Sequence, residues 1–270
     1  MTVAMIVPLT ASNYLKQFRE KRPLVHCLTN DVVQEITANV LLAAGASPAM
    51  VIAREEATDF VKIASALLVN VGTVTSERAE VMLSAAQAAN ECGVPWVLDP
   101  VAAGLLPWRD ALIKRFLELR PTAVRANASE ILAIMGMSAG GKGVDSLDSS
   151  DAALEAAQRL AREYGVIATV TGETDYATDG ENTIAVQGGS ALSTLVVGTG
   201  CSLSALVAGF LAVHPTVEAA ASACFLAKLA ASYARMRTAN PGSFRMYYLD
   251  ALHEMQPDNM LLRGSVNAKN

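Results

Sequence analysis

Val197-Gly198-Thr199-Gly200-Cys201-Ser202-Leu203-Ser204-Ala205 puts two glycines, a thiol and two serines where a loop runs into an apolar helix. Beyond Cys201 the chain continues through Leu203, Ala205, Leu206, Val207, Ala208, Phe210 and Leu211. The helix should therefore be buried on nearly every face, with its amino end open to a cavity. First-turn N–H groups have no partner inside a helix, and together with the macrodipole they attract anions. Glycines at 198 and 200 let the backbone come close to a ligand. A thiol in that first turn is expected to have its thiolate stabilised. A plain loop with Cys201 as a small core residue fits the same letters, since free cysteine is among the most buried residue types.

Outward from this stretch, short apolar runs alternate with helical periodicity. Buried parallel strands are expected at Leu24–Leu28, Ala49–Ile52, Ala66–Val71, Pro95–Leu98, Ala123–Val124 and Val166–Val170. Helices are expected at Val32–Ala44, Glu55–Ser65, Glu77–Glu91, Arg109–Leu119, Ser129–Met135 and Asp151–Tyr164. This alternation predicts a three-layer α/β/α sandwich around a mostly parallel sheet. The last third departs from it, with three successive helices at Gly200–Val213, Val217–Arg237 and Phe244–Glu254. Residues 1–270 read as one domain, with no internal repeat or low-complexity linker, and Gly140-Gly141-Lys142-Gly143 is the most flexible-looking loop.

Composition narrows the function. With 52% hydrophobic and 17% charged residues, 270 residues can bury a large core. A net charge of −5 with no lysine or arginine run argues against a nucleic-acid surface and electrostatic membrane attachment. Cys27, Cys92, Cys201 and Cys224 are far apart without a C-x-x-C, and the three histidines have no zinc spacing. A reducing cytoplasm is the expected compartment. The start, Met1–Thr10, lacks the basic head of a signal peptide, and the apolar run at Leu203–Val213 is too short to span a bilayer, so a soluble protein is expected.

Ligands of parallel α/β sheets bind beyond the carboxyl ends of the strands, so polar residues that follow the apolar runs are candidates. These are Asn30 and Asp31, Met50, Asn70 and Gly72, Asp99-Pro100, Arg125 and Asn127, and Thr171-Gly172-Glu173. Asp99 suits a metal or water ligand and equally a turn cap. Asn127-Ala128-Ser129-Glu130 has the spacing of a capping box, and on spacing alone capping prevails. Arg125 suits a phosphate, but pairing with a surface acid is the commoner case for such a cation.

In these residues the chain resembles the hydroxyethylthiazole kinase family of the ribokinase-like superfamily, from about Pro23 to about His253. The matches are Leu28–Asn30, Ala38-Asn39, Leu42–Met50 (LAAGASPAM), Asn70–Thr73, Leu98–Ala102, Arg125–Glu130, Gly143–Ser146, Val170–Gly172, Gly198–Ala205 and Asn240–Phe244. GASPAM and GTGCSLSA are the most specific. Gly104-Leu105-Leu106 is more apolar than the family pattern at that spot.

The resemblance implies phosphorylation of 4-methyl-5-(2-hydroxyethyl)thiazole by ATP, a salvage step towards thiamine. It makes Gly198–Cys201 the anion hole, with Cys201 where most ribokinase-like enzymes carry an aspartate base. Asp99 and Glu130 would act on Mg²⁺ and its waters. Arg125, Thr171, Thr199 and Gly200 would contact ATP, and Met50, Gly198 and Asn30 the thiazole alcohol. It also implies a homotrimer with active sites at subunit contacts. Phosphoryl transfer needs positioning and charge neutralisation, which a helix end, acids with Mg²⁺ and an arginine supply.

Other classes explain less. A dinucleotide oxidoreductase would want G-x-G-x-x-G after an early strand, whereas Leu203 stands where the third glycine belongs, late in the chain. A nicotinamide-hydrate dehydratase of the same superfamily leaves GASPAM and Cys201 poorly explained. A non-catalytic thiazole-binding protein would have no use for Asp99, Glu130 and Cys201.

Overall fold

Leu67, Leu68 and Val69 divide between two hydrophobic cores, Leu68 facing one and its neighbours the other. That is the period-two signature of a strand buried on both faces. The computed structural model describes residues 3–137 and 150–264. In chain order they form β1 (Val3–Met5), α1 (Pro8–Lys21), β2 (Leu24–Leu28), α2 (Gln34–Ala44), β3 (Ser47–Ala49), α3 (Arg54–Ile63), β4 (Ala66–Asn70) and α4 (Ser76–Cys92). Then follow β5 (Trp96–Asp99), α5 (Pro107–Glu118), β6 (Ala123–Asn127), α6 (Ala128–Ile134), α7 (Ser150–Tyr164), β7 (Ile167–Thr171), β8 (Asp175–Thr178) and β9 (Thr183–Val186). The chain closes with a 3₁₀ turn at Ala191–Leu195, α8 (Thr199–Leu211), α9 (Val217–Arg237), α10 (Pro241–Glu254) and α11 (Pro257–Gly264).

The strands make one nine-stranded sheet in the order β1-β9-β8-β7-β6-β5-β4-β2-β3, parallel except where β8 runs against β7 and β9. One core joins residues of α1, α2, α8, α9 and α10 to Val25, Cys27, Leu68, Val97 and Ala123 of the sheet. The other joins residues of α4, α5, α6 and α7 to Leu67, Val69, Leu98, Val124 and Val170. Two cores on opposite faces of one sheet are the three-layer sandwich that the alternation predicts. Each fully buried leucine, such as Leu67 or Leu98, contributes on the order of 2 kcal/mol of transfer free energy.

Local chemistry ends the elements where the sequence provides for it. Thr75 and Thr216 cap α4 and α9 by accepting the N–H groups of Arg78 and Ala219. Gly45 closes α2 in the left-handed region at φ 109°. Helix α8 is buried from Ser202 to Leu211, as its composition requires.

Four strands differ from expectation, the first being β1, a three-residue edge strand beside β9 in a stretch where no strand is expected. Strand β3 lies at Ser47–Ala49 rather than Ala49–Ile52, pairing with Leu24–His26 of β2. It contains Pro48, whose missing N–H is tolerated because β3 is an edge strand. Strands β8 and β9 escape an apolar scan because each is four residues long and carries polar letters. Their buried Asp175, Thr178 and Thr183 are satisfied internally, with Thr178 Oγ1 donating to Asn182 O at 2.7 Å. The segments Gly140–Gly143 and Gly143–Ser146 lie outside the described residues.

Candidate active site

The strand-end residues singled out in the sequence lie in spatial order along one edge of the sheet. Thr171 ends β7, Arg125 and Asn127 lie in β6, Asp99 ends β5, Asn70 ends β4, Asn30 follows β2, and Met50 follows β3. Six neighbouring strand ends span five gaps of about 4.8 Å, or about 24 Å. That length accommodates two small molecules end to end.

Helix α8 meets the middle of this row. Its N-cap Gly198 has φ +88°, and a Cβ there would stand 2.4 Å from Ile36 Cγ2, so a left-handed residue without a side chain is required. A Cβ on Gly200 would stand 3.0 Å from Arg125 Nη1, which brings the guanidinium against the helix end. Thr199 contributes differently: its hydroxyl donates to Ser193 O at 2.8 Å and Val196 O at 3.2 Å, tying the preceding loop.

A buried polar chain links α8 to three strand ends. Asn30 Nδ2 donates to Cys201 Sγ at 3.7 Å and to Asn70 Oδ1 at 2.9 Å. Asn70 Nδ2 donates to Asp99 Oδ2 at 2.8 Å, and Ser204 Oγ donates to the same oxygen at 2.8 Å. Asn70 Oδ1 also accepts the Gly72 N–H, which fixes the orientation of its amide. The sequence marked Asn70 as a strand end within a matched segment and Ser204 only as part of a motif, with no role for either. Their roles need the spatial adjacency of β4, β5 and α8, which no local pattern encodes.

Electrostatics separates the two ionisable groups at the centre. Burial pushes the Asp99 carboxyl up to about 6, with the Glu130 charge adding to the rise and Arg125 opposing it. Burial pushes the Cys201 thiol up to about 11, and the Asp99 charge contributes. The stabilised thiolate expected from the helix end is therefore not found. Desolvation and a neighbouring carboxylate outweigh the macrodipole, which is worth about 1 kcal/mol in such positions.

Glu130 does what its spacing predicts and more. Its Oε2 accepts the Asn127 N–H and Asn127 Oδ1 accepts the Glu130 N–H, both at 2.9 Å, completing the capping box. Its Oε1 accepts the N–H of Ala102 at 3.0 Å, and Ala102 is held at φ 63°. A non-glycine residue in that region is strained, and such strain gathers at functional loops. Arg125 is 8% exposed and donates to Thr171 Oγ1 rather than to a surface acid. Its Nε is buried without a hydrogen-bond partner, the condition of a group that awaits an anion. Met50 packs at the edge of one core, at the far end of the row from Thr171.

Among the described residues no group of three His, Cys, Asp or Glu side chains is placed to hold a metal. Mg²⁺ asks for less, since it keeps several waters and takes one or two carboxylates with substrate phosphates. Asp99 fits that demand. Both of its hydrogen bonds go to Oδ2 and neither uses Oδ1, and its carboxylate feels the charge of Glu130.

Comparison with known proteins agrees with this geometry. The family model described as "HK: Hydroxyethylthiazole kinase family" matches residues 15–258. The chain belongs to this family. Hydroxyethylthiazole kinase of Citrobacter koseri is 53% identical over 252 residues, 93% of this chain and 96% of that protein. The Serratia proteamaculans enzyme of the same name is 51% identical over 251 residues, 93% of this chain and 95% of that protein. Among solved structures, hydroxyethylthiazole kinase from Pyrococcus horikoshii OT3 superposes with a TM-score of 0.85 at 38% identity, covering 91% of this chain and 93% of that one. A ribokinase-like superfamily protein from Enterococcus faecalis shares the fold, with a TM-score of 0.67 at 14% identity over 94% of this chain and 97% of that one.

Proposed function

We propose that this member of the hydroxyethylthiazole kinase family acts as one catalytic domain. It transfers the γ-phosphoryl group of ATP to the hydroxyl of 4-methyl-5-(2-hydroxyethyl)thiazole, giving ADP and the thiazole phosphate for thiamine salvage. The observation that carries the reading is the row of strand ends with α8 at its centre. Arg125 and Thr171 hold the nucleotide at one end, assisted by the N–H groups of Thr199 and Gly200. Asn30 and the backbone of Gly198 hold the alcohol at the other, where Met50 of an adjacent subunit completes the pocket, and Cys201 lies between them. Asp99 and Glu130 are the residues that would hold Mg²⁺ and its waters, whose charge when bound neutralises the phosphates. The first-turn N–H groups of α8 receive the transferred phosphoryl oxygens.

Release of ADP, measured in a coupled assay, should be fast with the thiazole alcohol and slow with hydroxymethylpyrimidine or a pentose. A pentose turned over as well as the thiazole would overturn the substrate assignment.

We further infer a homotrimer with the pocket shared between subunits. Leu195 and Val197 just before α8, Val32 before α2 and Met246 on α10, which packs on α2 and on the 3₁₀ turn, are exposed apolar side chains, and a closed cyclic assembly would cover such a surface. Light scattering should give near three times 28.3 kDa. Subunit exchange between an inactive Met50 variant and an inactive Cys201 variant should recover activity. A fully active monomer would refute the shared pocket. A cytoplasmic location is supported by four free cysteines, of which Cys92 is exposed. Among the described residues no helix is long and apolar enough to cross a membrane.

A further inference from the structure

Lys228 is a lysine inside a buried stretch of α9, flanked by Leu226, Ala227, Leu229 and Ala230, and only 9% exposed. An alanine-rich helix packed on a sheet has no need of a charge there, and burying one is costly unless it is fully partnered. Its ammonium meets four oxygens from two loops. Lys228 Nζ donates to Gly172 O at 3.0 Å, Glu173 O at 2.9 Å and Gly188 O at 3.2 Å, and it pairs with Asp175 Oδ1 at 3.2 Å. Asp175 Oδ1 also accepts the Gly172 N–H at 3.0 Å. One turn further along α9, Ser232 Oγ accepts the Gly189 N–H at 2.9 Å.

Both loops lead into the candidate site. Gly172 and Glu173 directly follow Thr171, whose hydroxyl accepts from Arg125. Gly188 and Gly189 open the segment that continues through the 3₁₀ turn to Gly198 at the head of α8. Carbonyl dipoles aimed at one point repel each other, and the ammonium is what makes their convergence favourable. We propose that Lys228, with Asp175, is a positioning residue for the nucleotide: it draws the turn after β7 to the loop after β9 and so sets Thr171 and Arg125 at the spacing that grips the phosphates. This rests on the reading of Thr171 and Arg125 as nucleotide contacts. Lys228 does not itself touch the ligand.

The test is ATP affinity, read by calorimetry and by steady-state kinetics. In Lys228→Ala the Kd and KM for ATP should rise about 10-fold or more, the range seen when an outer supporting group is lost. The KM for the thiazole alcohol should stay within about twofold, since Asn30 lies four strands away and Gly198 is seated by its own packing against Val33 and Ile36. Methylammonium chloride, against equal sodium chloride, should restore ATP affinity to Lys228→Ala and leave the native protein unchanged. Lys228→Met with Asp175→Asn removes both buried charges together, a replacement that folded proteins tolerate. It should melt near the native protein and still bind ATP weakly. Adding Lys228→Ala to Thr171→Ala should cost little further affinity, because the first acts through the second. Native ATP affinity in the folded double variant, or an equal rise in both KM values without amine rescue, would overturn the proposal. Failure of the native protein to bind ATP would overturn the functional reading itself, and this proposal with it.

Discussion

Asp99→Asn should lower kcat by at least about 10²-fold while making the ligand-free protein more stable at neutral and alkaline pH. The loss of rate follows from the proposed role of Asp99, buried at the centre of the row, as a carboxylate acting on Mg²⁺, since charge stabilisation in a water-excluded site is worth about 10²–10³ in rate. The gain in stability follows from the same burial. Unfolded, Asp99 titrates near its ordinary 3.8, and in the folded protein near 6. Between those values the folded state binds more protons than the unfolded, so stability falls as pH rises through that window and stays lower above it. About two pKa units correspond to about 3 kcal/mol. Asparagine is free of that penalty, and its carbonyl oxygen can accept the same two hydrogen bonds from Asn70 and Ser204. Thermal melts of the ligand-free proteins should therefore diverge as pH rises from about 4 to about 6 and stay apart at higher pH, the variant melting higher. If instead the variant melts lower at all pH and keeps its turnover, Asp99 is a structural residue. Glu130→Gln discriminates a further point in the same assay. As a capping residue alone, Glu130 should cost under about 1 kcal/mol when replaced and leave the magnesium titration of kcat unmoved. As a ligand to the waters of the metal, it should shift that titration to higher concentration.

The carboxyl edge of the sheet was legible because each of its residues follows an apolar run. Leu24–Leu28 has the same bounds in both readings, and Asn30 follows from it. Asp99, Arg125 and Thr171 were found in the same way. What could not be read is what those side chains do to one another. Asn70 is a hub because β4 lies between β2 and β5, an order that crosses the chain sequence. The state of Cys201 was misjudged for a related reason. Its place in the first turn of a helix is visible in the letters, but its burial and the nearness of Asp99 are not. Lys228 and Asp175 were missed altogether. Lysine near the middle of an alanine-rich helix gives no periodic signal, and Asp175 starts a short strand whose polar letters read as a turn. Long-range pairs of this kind depend on β8 and α9 packing together, which local propensity does not address.

Cys201→Ala should lower kcat by roughly 10²–10⁴-fold, the span for loss of a general base, while Cys201→Asp keeps measurable activity. With the thiol pushed up to about 11, only about 10⁻⁴ of it is ionised at pH 7. A primary alcohol loses its proton late in phosphoryl transfer, so a base need not be abundant, but its scarcity must show in the pH dependence. If the thiolate takes the proton, kcat of the native enzyme should climb by close to tenfold per unit between about pH 7 and 9. Cys201→Asp should be flat over the same range, because a carboxylate there is already ionised. If Cys201 only positions the alcohol through the hydrogen bond it shares with Asn30, the native profile should be flat and Cys201→Ser should remain active. Turnover at the native rate in Cys201→Ala would remove the thiol from the chemistry and return it to the core. In that case the first-turn N–H groups of α8, Arg125 and the Asp99–Glu130 pair would carry the reaction by electrostatics alone, a division of labour that phosphoryl transfer permits.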